Sequence, residues 1–216
     1  MQLPEPSSVP FNTLMAEIEK GLIKIPQFQR DFVWSKDRVA KLVDSIVKGY
    51  PIGTFILWKT KEELRHIRNL GGLTLPSTPK GDFIQYVLDG QQRLTSLFAT
   101  LKGLKVTRAD GPVDDFREIY VDLNATEHEQ IVITDISERK SDGVIRLVEL
   151  AEGGLKLLKG FPEKYHDKLD QYRNRLLAYQ YSTILVKEVE IDVATEIFTR
   201  LNIGGKSLSV FEIMVA

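Results

Sequence analysis

Cysteine is absent from the 216 residues. Its absence excludes disulfide staples, thiol nucleophiles and every cysteine-ligated zinc or iron-sulfur centre. Histidine is almost as scarce: His66, His128 and His166 are scattered, without the HExxH spacing that would put two imidazoles on one helix face for zinc. Each reads as a surface residue. An excess of one charge is also missing, because 29 Lys and Arg face 30 Asp and Glu, a net charge of -1. The chain therefore lacks the overall basic field of a non-specific nucleic-acid binder, although a local basic patch is compatible with it. No long apolar run exists either; the most apolar stretch, residues 51–58, falls far short of the roughly 20 residues that cross a bilayer. The opening MQLPEPSSVPFNTL has no basic segment leading into an apolar one. No secretory signal is read there, and a cytoplasmic location is expected.

What is present suffices for a core. Hydrophobic residues make up 43% of the chain, and a chain of this length forms one generous domain or two small ones and buries about 70% of its unfolded surface. A short helical pattern over residues 12–21 leads into a short strand or edge at residues 22–25, stopped by Pro26. The loop QFQRDFVW follows. Ser35 then caps a helix whose apolar positions Val39, Leu42, Val43, Ile46 and Val47 follow i, i+3, i+4, i+7, i+8, with Trp34 and Val39 placed as a hydrophobic staple. Gly49 and Pro51 end that helix.

Buried strands are predicted at residues 52–58 and 83–88, the second running straight into Asp89-Gly90-Gln91-Gln92-Arg93 and a helix with the stripe Leu94, Leu97, Phe98, Leu101. Strands are expected at 117–123, 130–136 and 143–150, a polar helix at 162–179, a strand at 181–189, and a short helix with Val193, Ile197, Phe198 and Leu201 on its apolar face. Alternating strands and helices make this a mixed α/β (α+β) chain. Near the end, Ser209 and Glu212 form a capping box with little chain left to follow. Isolated helices under about 12 residues are marginal, so a truncated longer protein with a further domain is expected.

Gly205-Lys206-Ser207 matches the end of a phosphate-binding P-loop, but Arg200 stands where its first glycine belongs and the preceding segment reads as helix. The strand-turn-helix unit YVLDGQQRLTSL is the stronger anion site. Gly90 permits a tight turn, and the first N–H groups of the helix, at the positive end of its dipole, face outward. Arg93 adds a planar fork suited to phosphate oxygens. Asp89 suits a helix cap, a metal ligand or a water-orienting group. Gln91 and Gln92 either orient groups around a scissile phosphate or face solvent. Gln29 and Arg30 sit among aromatics that would anchor their loop. Arg200 and Asn202 end a helix beside Gly204 and Gly205, where Arg200 is also placed to pair with Glu196. Arginines, amides and a carboxylate are the inventory of a nucleotide-phosphate site.

In order and spacing, IPQFQRDFVW, DSIVKGYPIGTFILWK, VLDGQQRLTSL and IFTRLNIGGKSLSVFEI resemble the N-terminal domain of GmrSD-type restriction proteins, the DGQQR-motif family. The resemblance runs from about Phe11 to the last residue, with residues 59–82 and 102–179 carrying little of it. That family is similar to the ParB and sulfiredoxin superfamily, whose G-x-x-R turn Gly90-Gln91-Gln92-Arg93 matches, with Gln29-Arg30 in the place of its first polar box.

The resemblance implies a ParB/sulfiredoxin-like nucleotide-binding core with added helices over residues 1–216. It also implies binding and hydrolysis of a nucleoside triphosphate (GTP, ATP or another) with Mg2+ or a similar divalent metal. On this reading Asp89, Gln91, Gln92 and Arg93 are catalytic, Asp89 holds the metal, and Gln29, Arg30, Gly90, Arg93, Arg200 and Asn202 bind the nucleotide. The implied partners are modified or phage DNA and a C-terminal HNH nuclease domain in the same or a partner chain, with homo-oligomers allowed and no membrane. Two alternatives stand beside it: a non-enzymatic DNA-binding module contacting DNA through Trp34, Phe28 and Arg30, and a ParB-like nuclease.

Overall fold

The computed structural model describes residues 3–26, 29–64, 67–68, 76–107 and 113–202. In chain order its elements are β1 (Glu5–Pro10), α1 (Phe11–Glu19), β2 (Ile23–Pro26), α2 (Lys36–Val47), β3 (Phe55–Thr60), β4 (Ile67–Arg68), β5 (Ile84–Asp89), α3 (Gln91–Leu101), β6 (Lys105–Thr107), β7 (Val113–Asp115), β8 (Tyr120–Asp122), β9 (Val132–Ile133), β10 (Val144–Arg146), α4 (Leu147–Glu152), α5 (Leu155–Lys159), α6 (His166–Leu177), β11 (Gln180–Lys187) and α7 (Ile191–Leu201). The fold is mixed α+β. The chain divides into two units, one of residues 1–31, 53–91 and 180–216 and the other of residues 32–52 and 92–179.

The first unit is built on a mixed six-stranded sheet in the order β1-β11-β3-β5-β2-β4. β11 runs parallel to β3, and β2 parallel to β5; the other neighbours are antiparallel. On one face Trp58, Ile84, Tyr86, Leu88, Val186 and Val189 pack with Ala194 and Phe198 of α7. The Trp58 indole N–H donates to the Val189 carbonyl at 3.1 Å, which satisfies the one polar atom of a fully buried side chain. The helix α1 buries Phe11, Leu14, Met15 and Ile18, and its Glu17 accepts from the Gln85 amide of β5 at 3.1 Å.

The second unit holds α2, the body of α3, a three-stranded sheet β10-β8-β9, the hairpin β6-β7 and helices α4 to α6. Ser35 caps α2 as expected, its Oγ accepting from the Arg38 amide at 3.3 Å. Every apolar position predicted for α2 is buried. So is Asp44, which accepts from the backbone amides of Ile131 and Val132 at 2.6 and 3.0 Å and pairs with Lys48 at 3.0 Å. Asp122, also buried, meets Arg139 at 3.3 Å, so the charged turn at residues 138–140 carries a structural ion pair.

Asp115 ends β7, and its carboxyl is held well below the usual carboxylate range, chiefly by the hydrogen bond from the Arg117 side chain. A carboxyl whose folded pKa is depressed contributes stability that is fully present above its unfolded value near 4 and fades as pH falls below it. Thermal melts between pH 7 and pH 2 should show that loss, and Arg117→Ala should flatten the part due to Asp115. An unchanged profile in the variant would remove Asp115 from the account.

Several expectations are corrected. Residues 5–10 form a strand that carries Pro6 and Pro10; β1 lies at the sheet margin, where proline is tolerated. The segment at residues 22–25 forms the expected short strand, as β2, and of the two readings it is not the edge, because β2 sits between β5 and β4. The expected strand at 143–150 is only three residues of strand and then α4, since Leu147 and Leu150 bury at helical spacing. A 3-10 turn at Glu163–Tyr165 precedes α6, so the polar helix starts later than Pro162. Leu201 is 45% exposed and lies off the apolar face of α7, where Val193, Ile197 and Phe198 pack as expected and Ala194 and Thr195 are buried beside them. His128 is exposed, whereas His166 is half-buried with Nε2 at 2.9 Å from the Phe161 carbonyl. His66, the capping box at Ser209 and Glu212, and the Gly205-Lys206-Ser207 triplet lie outside the described residues.

Candidate phosphate site at the DGQQR turn

The neighbouring parallel strands β2 and β5 end at the same side of the sheet. From their carboxyl ends emerge the two polar segments singled out in the sequence, Gln29-Arg30 after β2 and Asp89-Gly90-Gln91 after β5. Ligands of open α/β sheets bind outside the carboxyl ends of strands.

The two segments are tied together by side-chain amides. Gln29, buried, donates from Nε2 to the carbonyls of both Val87 and Leu88 at 3.0 Å. Gln91 donates from Nε2 to the Arg30 carbonyl at 3.0 Å. In the second unit Gln92 does the corresponding work, its Oε1 accepting from the Val33 amide at 2.9 Å. Gln91 and Gln92 are each 6% exposed, which overturns the reading that leaves them facing solvent.

A feature that sequence reasoning missed stands at the end of β5. The register with β3 slips between Ile56 and Leu57, which pair with Asp89 and Val87, so that β5 carries one residue more than its partner. That is a β-bulge around Leu88. Successive carbonyls of a regular strand point to opposite sides, and the bulge is what lets one amide, that of Gln29, reach two in a row. Bulges re-aim side chains and are common beside functional sites. The only hint in the sequence was the amide-rich loop that grips it.

Gly90 follows the bulge with φ +92, a conformation open to glycine and strained for other residues, and is buried. It sets the first turn of α3 immediately after the strand. Asp89 is half-buried at the end of β5. Arg30 is exposed, and its guanidinium makes no hydrogen bond or ion pair with the described residues. Arg93, half-buried in the first turn of α3, donates from Nη1 to the Ile52 carbonyl at 2.7 Å, which fixes the guanidinium.

Arg200 and Asn202 take the helix-end arrangement: Arg200 pairs with Glu196 one turn back, and the Asn202 amide donates to the Phe198 carbonyl at 2.8 Å. Phe198, two residues before Arg200, packs in the same apolar cluster as Leu88, one residue before Asp89.

Among the described residues no group of three or more Asp, Glu or His side chains stands where it could hold a metal. Asp89 is the one carboxylate of the DGQQR turn; Mg2+ in nucleotide sites takes one or two carboxylates and completes its shell with phosphates and water.

These features define an α+β domain with a glycine-initiated helix N-terminus at the carboxyl edge of its sheet. The family model "GmrSD restriction endonuclease, N-terminal domain" matches residues 11–216, and the chain belongs to that family of restriction-system domains. It is also similar to an uncharacterized protein of Methanocaldococcus jannaschii, 26% identical over 238 aligned positions that cover 94% of this chain and 40% of the relative. The chain thus spans less than half the length of that curated relative. Among the described residues, no helix is long and apolar enough to cross a membrane.

Proposed function

We propose that this domain binds and hydrolyses a nucleoside triphosphate at the DGQQR turn, and so controls an HNH-type nuclease domain that acts on modified or invading DNA. The observation that carries the reading is the pair of amide latches from Gln29 and Gln91, which hold the Gln29-Arg30 loop against the bulged end of β5. Buried amides spent on bracing two polar loops, with an exposed arginine beside them, suit a site built for an anionic ligand.

In this reading the outward N–H groups of the first turn of α3 cradle phosphate oxygens, aided by the helix dipole. Arg30 and Arg93 neutralise charge that builds on the phosphoryl group as water attacks and the diphosphate leaves. Gln29, Gln91 and Gln92 act as positioning residues, since the contacts that define them are to backbone of the loop. Asp89 would hold a divalent ion, which when bound supplies charge neutralisation at the phosphates. Arg200 and Asn202 close the nucleotide pocket, and for this Arg200 must exchange Glu196 for phosphate.

Calorimetric titration with GTP, ATP, CTP and UTP, with and without Mg2+, tests the reading. Micromolar binding of at least one is expected. Arg30→Ala, which removes no described protein contact of the side chain, should weaken it about tenfold, the worth of roughly one charge-assisted hydrogen bond. Arg93→Ala should abolish it. Wild-type affinity in both variants would sink the assignment.

A further inference from the structure

At the opposite end of β5 from the DGQQR turn lies an arrangement that the nucleotide reading does not use. Phe83, the residue before the strand, is 43% exposed. Two ammonium groups converge on its ring: Lys59 Nζ is 4.9 Å from the ring centroid and Lys61 Nζ is 5.0 Å. Both lysines come from the end of β3 and the residue beyond it, and Lys59 pairs in register with Gln85, two residues after Phe83.

Neither ammonium has a carboxylate partner or a hydrogen bond among the described residues. Lys187, the register neighbour of Lys59 on β11, is neutralised by Glu5. Glu5 is also the acid whose carboxyl feels Lys59, and it is already engaged. Two cations are therefore gathered at an exposed aromatic ring without a direct ion-pair partner among the described residues, although Glu62, Glu63 and Asp82 adjoin them in sequence.

A ring quadrupole attracts ammonium groups over its face, so Phe83 orders two long side chains that would otherwise sample many rotamers. Sharing one ring keeps the ammoniums within about 10 Å of each other. A phosphodiester backbone, with one charge per roughly 3.4 Å of rise along each strand, presents several phosphates within that span. Acidic peptides can match this charge spacing as well, but the family to which the chain belongs points to DNA as the polyanion at hand.

We propose that Phe83, Lys59 and Lys61 form a nucleic-acid backbone contact. It lies about 20 Å from the DGQQR turn along the six residues of β5, at the usual rise per strand residue. The choice of DNA rests on the restriction-system reading; it does not depend on nucleotide binding.

The test is fluorescence anisotropy of a short labelled duplex and of its single strand with the whole chain at rising KCl, beside Lys59→Ala/Lys61→Ala, Phe83→Ala and a control, Lys20→Ala/Lys41→Ala, that removes the same charge elsewhere. The expected result is binding at low salt that weakens about tenfold or more in the Lys59/Lys61 variant. Its slope of log K against log salt should be shallower by about one to two, as each lost phosphate contact removes just under one. Phe83→Ala should weaken binding with less change in slope. Unchanged affinity and slope in the Lys59/Lys61 variant, an equal loss in the control, or no binding by the wild-type chain at low salt would each overturn the proposal. Nucleotide titration of the same variants separates the two readings, since Lys59→Ala/Lys61→Ala should keep wild-type nucleotide affinity.

Discussion

Replacing Gly90 by alanine is expected to remove nucleotide binding while leaving most of the fold in place. At φ +92 the residue sits where a Cβ is strained, and forcing an alanine there costs about 1–3 kcal/mol. The chain has two ways to respond. It can keep the turn and lose stability, which for a chain of this size lowers the melting temperature by a few degrees per kcal/mol. Alternatively it can relax the turn, which re-aims the first amides of α3 and pulls on the latch between Gln91 and the Arg30 carbonyl. The second response degrades the anion site, and with it a loss of nucleotide affinity well beyond tenfold is predicted by titration. Gly81→Ala supplies the comparison: its φ is +89 and open space surrounds the added Cβ. It should cost a similar strain and leave nucleotide affinity unchanged. Wild-type affinity in Gly90→Ala with no fall in melting temperature, the sign of a relaxed turn, would mean that the turn does not contact phosphate.

The largest stability effect is expected at Asp44. Its carboxylate is the acceptor for two consecutive backbone amides, those of Ile131 and Val132, in a region where both residues are buried. Asp44→Ala strands those donors away from water and leaves the Lys48 ammonium without its carboxylate. Removing one partner from such a buried arrangement costs about 3–5 kcal/mol. Urea unfolding should register that loss, with Asp44→Asn falling between the variant and the wild type because its amide oxygen still accepts. Amide exchange should show the loss first in α2 and β9, the elements Asp44 joins. A change of under about 1 kcal/mol, the ordinary worth of an exposed ion pair, would show that the carboxylate is replaceable by water.

The sequence made α2 legible down to its cap because every device agreed there: Ser35 at the N-cap, apolar residues at helical spacing, and glycine then proline at the end. It also located β5, the turn and α3, since glycine between an apolar strand and an apolar stripe permits few alternatives. What escaped was set by partners distant in sequence. Nothing local in EPSSVP announces a strand, and β1 exists because β11 offers it an edge. Asp44 read as one polar residue of an amphipathic helix, and only the approach of residues 131–132 makes it buried. The bulge at Leu88 depends on registration against β3, which periodicity within β5 does not reveal. At the site, the sequence singled out Gln29, Gln91 and Gln92 but not their use: amides that bond backbone look the same in sequence as amides that meet a ligand. Arg200 was legible in both its aspects, and the ion pair with Glu196 is the one formed.

The prolines of β1 also bear on how copies of this protein can meet. Residues 6, 8 and 10 share one parity along the strand, so their backbone nitrogens point to the same side. Proline is accepted in a marginal strand when that side is the outer one. The outer rim of β1 then offers a single amide proton, that of Ser8, where an ordinary margin of six residues would offer three. A strand from another molecule needs a regular row of donors to zip onto a sheet. Along this margin it would find gaps at Pro6 and Pro10, so growth by sheet extension is blocked there by the covalent chemistry of two residues. Any assembly of these chains must be made through side-chain surfaces or through the other elements of the fold.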